Sequence, residues 1–399
     1  MPNSLQKKSV LYITYDGILE PLGQSQILAY LEELSLEYNI FLLSYEKKLD
    51  LQNKDLYEKI NQRITTSNIN WTSLNYHHKL SAISTTWDIF QGIMRSIKII
   101  RLNDINIIHS RSYVSSVIAL ALKRTFNKPF IFDMRGFWAN ERVDGGLWKK
   151  NSFLFLLAKW FEKKFLLNAD HIVSLTHAGV KAIKRFDYLR HHNLKFSIIP
   201  TCANLDFFKP IDHKKGPFTL GYVGSVGLWY DFDAALICFR ELSKRVPDSK
   251  FLIINKNEHS FIKDRIEFHG LSMDSIKLIS ADFDQIPEFI NQMDAGIFFI
   301  KPLFSKQASA PTKLAEFLGC GIPCLSNHGI GDMSEIFENY KVGIAIDDFS
   351  EKECKRGVDE LLKLTKVENI SNICSLAAEN IFSLKTGVQS YKEIYETLN

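Results

Sequence analysis

Lys301, Lys306, Ser309 and Thr312 crowd into one short stretch, and each carries a group that can donate to an anion. The apolar run Ala295–Ile300 just before them reads as a buried strand that ends at Lys301. Pro311, whose fixed φ suits a first helical turn, opens a helix that Gly319 and Gly321 close. Two ammonium groups, two hydroxyls and a helix N-terminus thus converge on one point, an arrangement suited to a diphosphate. Glu316 lies four residues after Thr312 and projects to the same end. A carboxylate there can accept two hydroxyl hydrogen bonds from a ribose. Lys313 is taken with these residues as donor-binding, and Lys306 as catalytic, steadying charge as it grows on a leaving phosphate.

Such a site needs strands to aim it. Strand-like runs recur at Val10–Thr14, Ile40–Ser44, Ile105–His109, Pro129–Met134, His171–Leu175 and Phe196–Ile199. A second series covers Phe218–Val223, Lys250–Asn255, Ile276–Ile279, Ala295–Ile300, Ile322–Ser326 and Val342–Ile346. Amphipathic stretches such as Gln24–Leu36 and Asp233–Val246 lie between them. Strand–helix alternation predicts parallel sheets covered on both faces. The Pro- and Gly-rich stretch 200–216 divides the series, so residues 1–200 and 201–380 are expected to form two α/β domains. Residues 381–399 read as a last helix that packs back toward the first domain.

Ligands of open parallel sheets sit beyond the carboxyl ends of the strands. Four further groups fall there. Gly23 and Gln24, in the loop after the first strand, are candidate acceptor contacts, and so is Arg111. Asp133 and Arg135 are candidate catalytic residues: Asp133 to orient a hydroxyl or act as a base, Arg135 to meet a phosphate. An Arg–Asp ion pair bridging strand ends is the plainer reading of the same residues. Gly224 and Ser225, in a glycine loop after the first strand of the second series, are placed to approach phosphate oxygens.

The 399 residues carry a net charge of +4, without the concentrated basic stripe that nucleic acid demands. The six cysteines show no metal-ligand spacing and read as reduced thiols of a cytosolic protein. No metal site is expected. Neither a signal peptide nor a membrane-spanning run is read. Residues 147–167 mix Trp148, Phe153, Trp160 and Phe161 with five lysines, the pattern of a helix that covers a sheet or lies on an anionic membrane. The tandem pairs His77–His78 and His191–His192 read as surface histidines, and Asp282 and Asp284 as a solvated loop.

Four stretches, Tyr15–Gln26, Asp133–Glu141, Ile199–Phe208 and Pro311–Pro323, resemble the retaining GT-B glycosyltransferases of family four, of the bacterial surface-polysaccharide type. The resemblance implies two facing Rossmann-like domains, the first for an acceptor and the second for a nucleoside-diphosphate sugar. It implies no cofactor beyond that co-substrate, UDP or GDP, a glycan or lipid-linked acceptor, and a cytoplasmic enzyme with peripheral contact at the inner face of the membrane. It makes Glu316 the ribose-binding carboxylate, and has Arg111 or Arg135 reach across on closure. Two departures stand out. Ala308 occupies the place where the family often has the first of two glutamates, and no Arg or Lys follows the glycine loop at Gly224. A sugar-nucleotide epimerase and a catalytically silent nucleotide-sugar-binding partner stay open beside the transferase.

Overall fold

The computed structural model describes residues 7–77, 81–211 and 216–398. The chain divides into two compact units, Met1–Ile199 with Gly387–Asn399, and Pro200–Thr386. Both are Rossmann-like α/β units, each built on one parallel sheet.

The first sheet contains β1 (Ser9–Thr14), β2 (Asn39–Glu46), β3 (Asn70–Asn75), β4 (Ile107–Arg111), β5 (Phe130–Asp133), β6 (His171–Ser174) and β7 (Phe196–Ile198), in the order β3-β2-β1-β4-β5-β6-β7. Every residue of β1, β4, β5 and β6 is buried. Continuous apolar strands of this kind need cover on both faces, and parallel pairing through crossover helices supplies it. The register sets Thr14 beside Arg111 and Arg111 beside Asp133, so polar side chains collect where the apolar runs end. β3 departs from the sequence reading, which placed no strand there. It is an edge strand, half-exposed and mostly polar, and lacks the apolar run by which the others are recognised.

The tail also differs from the single helix expected over 381–399. One helix ends at Phe382, Ser383 is extended and bridges Ala203, and a new helix runs over Leu384–Thr397. Its buried face carries Val388, Tyr391, Ile394 and Tyr395, and its residues from Gly387 onward belong to the first unit. The Tyr391 hydroxyl donates to Asp133 Oδ2 at 2.9 Å, and Tyr395 Oη lies 2.7 Å from His109 Nδ1. The Lys8 ammonium donates to the carbonyls of Tyr395 and Leu398, at 3.0 and 3.1 Å. The last helix is therefore bolted to the carboxyl ends of β4 and β5 by buried polar bonds.

The second sheet contains β8 (Thr219–Val223), β9 (Lys250–Ile254), β10 (Ile276–Ile279), β11 (Ala295–Ile297), β12 (Cys324–Asn327) and β13 (Gly343–Ile346), in the order β10-β9-β8-β11-β12-β13. Its core gathers Phe239, Phe251, Phe298, Phe299 and Phe317 with the branched residues of the strands. β8 and β11 are neighbours, which brings together the two loops that matter below. All six cysteines are free and buried. No helix among the described residues is long and apolar enough to cross a membrane.

Replacing Tyr391 by Phe strips a hydrogen bond from a buried carboxylate. We expect a loss of about 1–3 kcal/mol in stability, read by chemical denaturation.

Candidate functional site

The residues of the second unit expected to bind a donor are brought near one another by the pairing of β8 with β11. The loop after β8 folds onto the chain after β11: the Asp231 N–H donates to the Phe299 carbonyl at 3.0 Å, and the Lys301 N–H to the Trp229 carbonyl at 2.9 Å. Three lysines then touch three successive residues of that loop. Lys301 Nζ donates to the Leu228 carbonyl at 3.1 Å. Lys306 Nζ lies 4.1 Å from the centre of the Trp229 ring, and Lys313 Nζ 3.9 Å from that of Tyr230. Leu228 itself has φ of 49°, a left-handed conformation that a branched residue adopts only under constraint. The sequence reading assigned no role to Leu228–Tyr230, because they carry none of the charge it looked for.

Lys313 is the most unusual member. It is the second residue of the helix Thr312–Gly319, and its side chain is buried. Its Nζ has no hydrogen-bond partner among the described residues. Three aromatic faces surround it instead: Tyr230, Tyr222 at 4.8 Å and Phe298 at 5.6 Å. Burial drives its pKa down from 10.5 to about 7, against the opposing pull of Glu316 and Glu258. Glu316, one turn on, shows the mirror image: burial pushes its carboxyl from 4.5 up to about 7, with Lys313 pulling the other way, while part of its surface stays exposed. Two opposite charges held apart in a poorly solvated place are what a charged, hydroxyl-bearing ligand would relieve.

The neighbouring groups sort into supports and candidates. Asn327, buried, clamps the end of β11: its Oδ1 accepts from the Ile300 N–H at 2.9 Å and its Nδ2 donates to the Ile300 carbonyl at 2.8 Å. No side chain caps the helix at Thr312, since Pro311 precedes it. Ser309 and Thr312 are half-buried, and Lys301 is exposed. Ala308 is buried, so no carboxylate occupies that position. Gly224 has φ of 98°, and a Cβ on it would stand 3.5 Å from Lys313 Nζ.

The glycine loop does not offer the amides expected of it. The N–H groups of Val226 and Gly227 donate to the Glu258 carboxylate at 3.1 Å each, and Ser225 Oγ donates to it at 3.0 Å. Burial raises the Glu258 pKa, but the bonds from Asn255, Val226, Ser225 and Gly227 outweigh it and leave the carboxyl below its ordinary value. Glu258 thus fills the amide nest with the protein's own anion. It went unremarked in the sequence because it follows a different strand, β9. Ser225 is a loop support through this bond. Asp282 caps a short turn with Gln285, and the exposed Phe283 stacks on Phe207 at 5.5 Å.

In the first unit the strand-end charges pair with one another. Asp133 is fully buried, with Arg111 Nη1 at 3.8 Å and Arg135 Nη1 at 3.9 Å. Burial raises its pKa, while Arg135, His109 and Arg111 together lower it further, so the carboxyl stays below its usual range. An anion so stabilised is a poor base, and the ion-pair reading of Asp133 describes its surroundings better than the base reading. Arg111 is also buried, 3.5 Å from Asp16, while Arg135 holds φ of 58° just past β5. Gly23 is required by packing: a Cβ there would meet the Gly17 carbonyl oxygen at 2.0 Å. Gln24 donates to the Leu19 carbonyl at 2.9 Å, so its amide braces its own loop. Glu46, buried, holds that loop through the N–H groups of Ile18 and Leu19 at 3.0 and 3.2 Å.

His191 and His192 are exposed, and His78 lies outside the described residues. Among the described residues, no group of three or more His, Cys, Asp or Glu side chains is arranged to hold a metal ion.

Comparison with known families settles the class. Residues 204–373 match the model of glycosyl transferases group 1, and residues 72–207 match glycosyltransferase family 4. The chain is a group 1 glycosyltransferase. No curated protein matches its sequence. Solved structures share the fold of this glycosyltransferase at low identity. A glycosyltransferase from Rickettsia africae aligns with a TM-score of 0.71 and 16% identity, covering 98% of each chain. Sucrose-phosphate synthase from Thermosynechococcus elongatus gives 0.68 and 11%, covering 98% of this chain and 99% of that one. HepE from Anabaena, solved with UDP, gives 0.67 and 13%, covering 98% and 100%.

The electrostatics of this glycosyltransferase give a pH signature. Between pH 7 and 10.5 the unfolded chain holds the Lys313 proton that the folded one has lost, so this residue makes stability rise with pH in that window. Between pH 4.5 and 7 Glu316 does the reverse, because the folded state binds the extra proton. Lys313→Met keeps the packing and removes the buried charge. It should gain roughly 1–3 kcal/mol at pH 6 and less at pH 9, by urea denaturation at both values.

Proposed function

We propose that this glycosyltransferase moves a sugar from a nucleoside-diphosphate donor, held by the second unit, to a glycan or lipid-linked acceptor held by the first. The buried, unpartnered ammonium of Lys313 carries this reading. It lies beside the Gly224 turn, in the first turn of a helix that no side chain caps, with Glu316 one turn further on. A diphosphate would supply the counter-charge that Lys313 lacks. Lys306, on the Trp229 ring, is the second cation. Glu316, partly exposed, would take two ribose hydroxyls. Ser309 and Thr312 would add donors at the helix start. Lys301, on the Leu228 carbonyl, contributes long-range positive charge. We favour uridine as the base: HepE of Anabaena, of the same fold, has been solved with UDP-glucose.

The chemistry follows from where charge develops. As the bond from the anomeric carbon to the phosphate oxygen breaks, its electron pair goes to the leaving diphosphate. Lys313, Lys306 and the helix dipole stabilise that charge more than they stabilise the bound donor. The acceptor hydroxyl forms the new bond on the face the phosphate leaves, and its proton passes to the departing phosphate oxygen. The anomeric configuration is retained, and the reading calls for neither a protein nucleophile nor a metal. Arg135 and Arg111 are the first unit's cations for an anionic group of a substrate, with Asp133 holding them. The family resemblance suggests cell-surface polysaccharide assembly, in the cytoplasm or peripherally at the inner face of the membrane.

Thermal shift against UDP, GDP and their sugars tests the donor site, since a ligand that binds only the folded state raises its stability by RT ln(1 + [L]/Kd). UDP should give the larger shift. Glu316→Ala should weaken UDP binding by about tenfold or more, the worth of two hydrogen bonds to a charged group. Lys306→Ala should lower kcat by about 100-fold, as loss of one preorganised donor does. Unchanged binding and turnover in both variants would overturn the site. Turnover of the donor alone to an epimer would favour an epimerase, and binding without transfer a silent partner.

A further inference from the structure

Glu258 holds a place in the second unit that the donor chemistry does not use. Its carboxylate sits in the glycine loop's amide nest, the kind of concavity that receives a phosphate in other proteins. Oε1 accepts from the Gly227 N–H at 3.1 Å and from Ser225 Oγ at 3.0 Å. Oε2 accepts from the Val226 N–H at 3.1 Å and from Asn255 Nδ2 at 2.8 Å. The seat is built around this side chain. The buried Asn255 also accepts, through Oδ1, from the Glu258 backbone N–H at 2.7 Å, and a Cβ on Gly227 would stand 2.9 Å from Glu258 Oε1.

Glu258 and Lys313 meet the same turn of chain. Asn255 Nδ2, which holds the carboxylate, donates to the Gly224 carbonyl at 3.0 Å, and Gly224 is the residue whose added Cβ would lie 3.5 Å from Lys313 Nζ. The field of the carboxylate reaches the ammonium and its rings. Burial lowers the Lys313 pKa and Glu258 opposes the fall; burial raises the pKa of Tyr222 and Tyr230 and Glu258 adds to the rise. A diphosphate bound at Lys313 therefore feels the same charge.

That charge acts unequally on donor and product. In a nucleoside-diphosphate sugar each phosphate carries one negative charge. In the transfer proposed above, the acceptor proton passes to the departing phosphate oxygen. A terminal phosphate has a second ionisation near pH 6, so at neutral pH this proton goes on to water and the free nucleoside diphosphate carries one charge more than the donor did. The extra charge arises after the glycosidic bond has broken. Lys313 and Lys306, which serve the leaving group, would hold that product all the more tightly, and a nearby carboxylate counters them.

We infer that Glu258 is a specificity residue of the donor site, a fixed negative charge that weakens the hold on the free nucleoside diphosphate relative to the sugar-linked form. This rests on the donor reading above and adds to it the choice between substrate and product.

Three ligands separate charge from sugar contacts: UDP, UDP methylated on its terminal phosphate, and UDP-glucose. The ester has the charge of the donor without its sugar. Titration calorimetry at pH 8 and low ionic strength reads each affinity. Glu258→Gln keeps an oxygen that accepts from the loop and removes the charge. It should improve UDP binding by about tenfold more than it improves binding of the ester or of UDP-glucose, the scale of one charge pair several ångströms apart under partial solvent screening. Glu258→Ala, which removes the side chain altogether, should change the same ratio in the same direction, so the result does not hang on one variant folding well. A role confined to shaping the loop would shift the three affinities together, and an unchanged ratio of UDP to ester in both variants overturns the inference while leaving the donor site standing. If none of the three ligands binds the unaltered protein, the donor reading falls and this inference falls with it.

Discussion

The ammonium of Lys313 sits among three aromatic rings without a hydrogen-bond partner, and the second unit is arranged around that fact. A bare cation is expensive to bury, and a folded chain can relieve it by pairing it or deprotonating it. Here the ring faces supply only part of what water would, and the pKa falls to about 7. Holding such a group in place demands a stiff frame. Asn327 locks the end of β11, the Tyr230–Ile300 bridge locks the loop after β8, and Gly224 takes a left-handed turn that leaves room above the amine.

The first unit sets opposite charges beside one another, although Asp133 Oδ1, Arg111 Nε and His109 Nε2 are themselves buried without a hydrogen-bond partner among the described residues. Asp133 has two guanidinium groups within 4 Å and a tyrosine hydroxyl on one oxygen, so its carboxyl is held ionised by its own surroundings. A compensated cluster stabilises a scaffold. An uncompensated one needs a partner from outside. The same distinction explains Glu258, which satisfies the glycine loop's amides internally, whereas the buried Lys313 ammonium has no hydrogen-bond partner among the described residues. The last helix belongs to this compensated half, since Tyr391 and Tyr395 bring the end of the chain to the buried edge of β4 and β5.

Much of this was legible in the residues. Buried parallel strands announce themselves as apolar runs, and twelve of the thirteen strands among the described residues lie within or across such runs. β3 was not, because an edge strand of polar residues carries no such signal. The stretch from Lys301 to Glu316 was legible as a candidate site because its cations, hydroxyls and helix start are local in sequence. Trp229 and Tyr230 were not, since their contribution is a ring face and their partners lie some seventy to eighty residues away. The structural roles of Gly23 and Gln24 were hidden for a related reason. A glycine beside a helix start looks the same whether it makes room for a ligand or, as here, for the backbone of Gly17.

The amphipathic segment 147–167 shows where a one-dimensional pattern stops being informative. A helix that covers a sheet and a helix that lies on a membrane share one periodicity, and Phe153–Asn168 has features of both: Phe155, Ala158, Phe165 and Leu166 face inward, while Phe153, Leu156 and Trp160 stay exposed. The excess only becomes visible when the inward face has been counted. A helix of this length needs one apolar stripe to pack, and here further apolar residues stay outside it. Glu162 strengthens the point. It is the helix's only acid, and its burial against Tyr113 removes from the outer surface the charge that would have balanced the lysines. What remains outward is apolar and basic at once, which the periodicity of the sequence alone could not reveal.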